Sequence, residues 1–87
     1  MSQYQPTPKD PKHTVFVGWD RPLNTFFIHV IDTTLDEDDV ARDVYWVGCT
    51  PGELHDLDKV FKALVPYITA SPAELSVLRR HLLRDSA

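Results

Sequence analysis

The 87-residue chain predicts an α+β domain: a three-stranded antiparallel sheet with two C-terminal helices packed on one face, in the order βββαα. Three features carry that prediction. Two runs rich in β-branched and aromatic residues, Thr14 to Asp20 and Thr25 to Asp32, flank the turn-forming stretch Arg21-Pro22-Leu23-Asn24. A third apolar run covers Val44 to Cys49. Two helix starts with the same chemistry follow it, at Thr50 and at Ser71.

Residues 1–12 hold Pro6, Pro8 and Pro11 and show no apolar periodicity, so they are expected as a flexible, Pro-rich tail before a single domain at 13–87. In the first two runs the register can be deduced. Pairing Asp20 with Thr25 across the turn sets Trp19 against Phe26, Val17 against Ile28 and Val15 against Val30, six apolar residues on one face. The second face then reads Thr14 with Ile31, Phe16 with His29 and Gly18 with Phe27. A slip of one residue would break the apolar set.

Residues 33–43 are polar and acidic and are expected as a long exposed loop. The run Val44 to Cys49 is apolar at every position, so periodicity does not choose whether Trp46 or Val47 faces the core. In Thr50-Pro51-Gly52-Glu53 and Ser71-Pro72-Ala73-Glu74 a hydroxyl N-cap, a proline at the first helical position and a glutamate at the third form capping boxes. After the first, Leu54, Leu57, Val60, Phe61, Leu64 and Val65 make an apolar stripe that Pro66 should end. Gly52 weakens that start, and a helix beginning near Asp56 competes with it. After the second, Leu75, Leu78 and Leu82 form a narrower stripe, with Val77 and Leu83 beside it.

The net charge is −4. Residues 1–19 set Lys9 and Lys12 against Asp10, a net +1. Residues 20–58 set Arg21 and Arg42 against ten acids, a net −8, and residues 59–87 carry Lys59, Lys62, Arg79, Arg80 and Arg84 against Glu74 and Asp85, a net +3. The chain is therefore dipolar. Its acidic balance argues against sequence-independent nucleic-acid binding. With one cysteine, no charged-then-apolar leader and no apolar run of about 18 residues, a soluble cytoplasmic protein is expected, without an internal disulfide or membrane contact.

No phosphate-cradling glycine loop, nucleophile elbow or dinucleotide fingerprint is present, and no cofactor is expected. Cys49, with His55 six residues on, is the one local nucleophile–base pairing, and a small buried apolar cysteine is its simpler explanation. Asp36, Glu37, Asp38 and Asp39 form an oxygen cluster without the alternation of a calcium loop, and the four histidines lack ligand spacing, so no metal site is expected. Phe16, Phe27 and, for one facing of the third strand, Tyr45 would give stacking platforms that Arg79, Arg80 and Arg84 of the last helix could complement as a weak nucleic-acid site. Those arginines equally suit the polar face and C-terminal end of a helix. Phe16, Phe27, His29 and Ile31 on the second sheet face form an apolar patch that marks an interface, unless the tail with Tyr4 folds back over it or the face is merely half-covered.

The string Gly18-Trp19-Asp20-Arg21-Pro22-Leu23-Asn24-Thr25-Phe26-Phe27, then an acidic loop, then Trp46-Val47-Gly48-Cys49-Thr50-Pro51-Gly52-Glu53, resembles small bacterial proteins of unknown function associated with plasmids and other mobile elements. The resemblance spans about residues 14–67 and implies no catalytic or binding residues. It does suggest a class, because short acidic proteins on mobile elements include anti-CRISPR and anti-restriction inhibitors that occupy a partner's basic surface. In that class Asp36 to Asp39 would be the nucleic-acid-mimicking element. The leading expectation is a non-catalytic protein-interaction module, homodimeric through the second sheet face. The alternative is such an inhibitor of a nucleic-acid-handling complex acting through its acidic loop.

Overall fold

The hairpin closes through Asn24, whose φ of 53° lies in the left-handed region that asparagine tolerates better than most residues. An Asp20 carboxylate oxygen accepts the Leu23 N–H at 3.2 Å and holds the turn. The structure, a computed structural model, describes residues 2–69 and 71–87. It contains β1 (His13–Asp20), β2 (Thr25–Asp32), β3 (Asp43–Val47), α1 (Leu57–Leu64) and α2 (Pro72–Ser86), with 3₁₀ turns at Val40–Arg42 and Val65–Tyr67. The strands form one antiparallel sheet in the order β1-β2-β3, and both helices cover one face of it. The βββαα architecture is thus the one expected.

β1 and β2 take the deduced register throughout, from Thr14 opposite Ile31 to Asp20 opposite Thr25. The six apolar residues face the helices, where Trp19 meets Phe26 edge-on at 4.8 Å. β3 pairs Val47 with Ile28, Trp46 with His29 and Tyr45 with Val30, then a bulge shifts the register between Val30 and Ile31. This settles what periodicity left open: Tyr45 and Val47 pack on the core, and Trp46 points the other way. Tyr45 stacks on Tyr67 at 5.3 Å, so it is no platform on the open face.

The first capping box forms only its Glu53 half and starts no helix. Glu53 accepts the Thr50 hydroxyl at 2.9 Å and the N–H groups of Cys49 and Thr50, but Gly52 at φ 67° turns the chain away. α1 starts at Leu57, and the Asp56 carboxylate caps it by accepting the Asp58 N–H at 2.9 Å. Its buried residues are Leu57, Val60 and Leu64, while Val65 is exposed beside Pro66 where the helix ends. α2 begins at Pro72 as expected, but the Ser71 side chain makes no capping bond. Leu78 and Leu82 are buried from it, and Val77 and Leu83 remain exposed.

The N-terminal segment corrects the expectation of a flexible tail, apart from Met1, which lies outside the described residues. Tyr4 and Val17 exchange backbone hydrogen bonds of 2.8 and 3.0 Å, and the Ser2 N–H reaches the Trp19 carbonyl, so the segment covers the outer edge of β1. It then bridges Pro8 to Ile68. The Glu74 carboxylate, free of any capping duty at Ser71, accepts both the N–H and the hydroxyl of Thr7 at 2.9 Å. Prolines forbid a regular ladder here but not these separate anchors.

Candidate functional site

The sheet face away from the helices carries an aromatic row set by the register. Phe16 of β1, His29 of β2 and Trp46 of β3 are cross-strand neighbours. The His29 ring lies parallel to Trp46 at 4.0 Å and 6.3 Å from Phe16, and its Nε2–H is donated to Asp43 Oδ1 at 2.7 Å. A fixed imidazole thus ties the row together. Trp46 is 54% exposed, the most exposed of the Phe, Tyr and Trp rings.

Beside the row lies a cleft of about 410 Å³ between the aromatic wall and the β1–β2 turn, with Phe16, Trp46, Asp20, Leu23 and Gly48 among its lining. Phe27 lies between them, packed over Gly18. A Cβ at Gly18 would stand 2.9 Å from the Phe27 ring and 2.0 Å from the Ser2 carbonyl, so glycine there lets the N-terminal chain pass beside the ring.

Of the four residues expected to form an exposed patch, Phe16, His29 and Ile31 are half-buried on this face, whereas Phe27 is buried, at 9% exposure. Phe27 is therefore a cleft floor rather than an accessible contact. The residue that sequence reasoning missed is Trp46, because nothing in a uniformly apolar run signals its facing. The tail does not cover the face: Tyr4 turns to the helix side, stacks on His81 at 5.0 Å and donates its hydroxyl to Asp85, and only Gln3 reaches the cleft rim.

The other candidates lie apart from the row. Asp36, Glu37, Asp38 and Asp39 are exposed in the loop between β2 and β3, at the end of the sheet opposite the cleft, with Val40 92% exposed beside them. On α2, Arg79 bonds to Asp58 at 3.0 Å and lies 5.7 Å from the Phe61 ring centre, and Arg84 meets Asp85 and the Tyr4 hydroxyl at 3.4 Å. With Arg80, these arginines sit on the helix layer, and the sheet separates them from the aromatic row. The fold does not assemble stacking rings and phosphate contacts into one surface.

Cys49 is exposed, which corrects the buried cysteine expected as its simpler explanation. Partial desolvation and then the Glu53 carboxylate push its thiol above the usual range, the reverse of nucleophile activation. The Glu53 carboxyl is held below its usual range, first by the Gly48 N–H and then by the Thr50 hydroxyl. His55 donates its Nε2–H to the Asn24 carbonyl at 2.6 Å and so braces the turn. Among the described residues, no cluster of three or more His, Cys, Asp or Glu side chains is placed to hold a metal ion, and no helix is long and apolar enough to cross a membrane.

The cleft can stack flat or apolar groups and offers one carboxylate to a hydrogen-bond donor or cation. No family model, no curated protein and no solved structure matches the chain, so the functional reading rests on this site.

Proposed function

We propose that the protein is a non-catalytic interaction module that docks the basic surface of a partner protein on the open face of its sheet. The half-exposed Trp46 in the row Phe16–His29–Trp46 carries this reading, since a chain this small gains from burying any ring it can. Charge supports a basic partner: Asp20 and Asp43 border the row, the acidic loop extends the same sheet, and no Lys or Arg lines the cleft.

A second copy fits less well as occupant. Three strands about 4.8 Å apart and at most eight residues long, at about 3.3 Å per residue, give a face of about 15 by 25 Å. Two such faces would bury about 800 Å², below the roughly 1,200 Å² of stable pairs, and would bring two acid-bordered faces together. The exposure of the whole run Asp36 to Asp39 favours one further reading, inhibition of a nucleic-acid-handling complex through that loop.

Photo-cross-linking from benzoylphenylalanine at the exposed Val44 tests the proposal. Capture of a basic partner that disappears in Trp46→Asp supports it, and capture unaffected by that change refutes it. Light scattering is expected to return a monomer; a dimer broken by Trp46→Asp would make the second copy the occupant.

A further inference from the structure

We propose that the cleft beside the aromatic row is a receptor for a single guanidinium, the side chain of an arginine in the partner's basic segment. The inference rests on the open-face reading above and names the chemistry of its centre.

The lining combines aromatic rings with one permanent charge. Phe16, Phe27 and Trp46 line the cleft, and among the described residues Asp20 is its only Asp, Glu, Lys or Arg. Ring faces and the carboxylate both attract a cation, and the carboxylate repels an anion, which disfavours a phosphate or a nucleic acid here. One Asp20 oxygen accepts the Leu23 N–H; among the described residues, no hydrogen bond is made to the other. That oxygen belongs to a side chain already held by the turn, so little rotamer freedom remains to be lost on binding.

A guanidinium suits this setting better than an ammonium. It is planar, weakly hydrated and stacks on ring faces while donating at its edge, whereas an ammonium keeps its water and forms no stack. Trp46 already has one side occupied by His29 and leaves more than half its surface to solvent, the arrangement a stacking cation needs. The −8 balance of residues 20–58 adds long-range attraction for a basic segment and none for an acidic one.

The test uses the full chain, ¹⁵N-labelled, titrated with an acetylated and amidated Gly-Arg-Gly peptide. Its citrulline analogue keeps the shape and loses the charge, and its lysine analogue keeps the charge and loses the plane. The arginine peptide is expected to move the Trp46 indole and Gly48 amide signals, with affinity at least about tenfold above citrulline and above lysine by a smaller factor. Asp20→Asn keeps the oxygen that accepts the Leu23 N–H, so the turn survives, and it should remove most of the arginine preference. Equal binding of arginine and citrulline, or an undiminished preference in Asp20→Asn, overturns the inference. If the arginine peptide fails while cross-linking at Val44 still depends on Trp46, the guanidinium site falls and the open-face reading stands; if both fail, both fall.

Discussion

Thr25→Val should be the most informative single change in the fold, because Thr25 is a fully buried polar side chain with three hydrogen bonds at one hydroxyl. The hydroxyl's single proton is shared between the carbonyls of Phe26 and Leu54 at 2.9 and 3.2 Å, and its oxygen accepts the Leu54 N–H at 2.7 Å. Valine keeps the shape and removes the oxygen. The Leu54 carbonyl still has the Phe26 N–H at 2.8 Å, but the Leu54 N–H is left without its acceptor. Orphaning one donor costs about 1–3 kcal/mol. A domain of this size has about 4–13 kcal/mol of stability in all, so the loss is a large fraction of it. At about 4–8 °C per kcal/mol, Tm should fall by about 5–20 °C. Urea unfolding followed by tryptophan fluorescence should show a lower midpoint at unchanged slope, and the Leu54 amide should exchange faster. Thr25→Ser, which keeps the hydroxyl, should cost only about 1 kcal/mol for the lost methyl. A Thr25→Val protein as stable as the parent, with Leu54 still protected, would show that the hydroxyl does not clamp the 48–56 segment. The consequence reaches the site, since Gly48 and Cys49 at the start of that segment line the cleft.

Other outcomes follow from the same structure. The Tyr4 hydroxyl holds the Asp85 carboxyl below its usual range, and Asp85 holds the Tyr4 phenol above its own. The stability drawn from Asp85 is therefore present above about pH 4 and lost as pH falls through the lowered value, while that from Tyr4 is present below about pH 10 and lost as pH rises through the raised one; Tyr4→Phe should flatten both limbs of a stability-versus-pH curve. Leu82→Ala, at a fully enclosed position of α2, should cost about 2–5 kcal/mol in chemical denaturation. Replacing Asp36, Glu37, Asp38 and Asp39 together by Asn or Ser should change stability by less than about 1 kcal/mol. If that replacement leaves partner binding intact, the inhibitor reading of the loop is lost. Cys49 should alkylate more slowly than a free thiol near neutral pH, and Glu53→Gln should speed it by removing a repelling charge; fast alkylation in the parent would revive a catalytic role.

Some of the site could be read before any coordinates. Phe16 and His29 follow from alternation once Asp20 is paired with Thr25, because a strand's side chains change face at every residue. Trp46 does not follow, because all its neighbours in the run are apolar and its facing depends on the β2–β3 pairing. Alternation places Phe27 on the open face but does not give its depth, since its burial depends on packing over Gly18. The start of α1 shows the same limit. Glu53 makes its half of the capping box with Thr50, but Gly52 turns the chain because Leu54 is tied to Thr25 29 residues away.

What the sequence by itself determined is local: the hairpin register, the α2 start at Pro72, the exposed acidic loop and the dipolar charge pattern. Each depends on residue periodicity, turn chemistry or charge within a few positions of the chain. The tertiary structure decided the rest, namely the docking of residues 2–12 on β1 and α2, the facing of Trp46 and the cleft it walls. These arise from contacts such as Tyr4 with Asp85 and Thr7 with Glu74, between residues 81 and 67 positions apart. No local pattern encodes them, because their free energy appears only when packing has already brought both partners together.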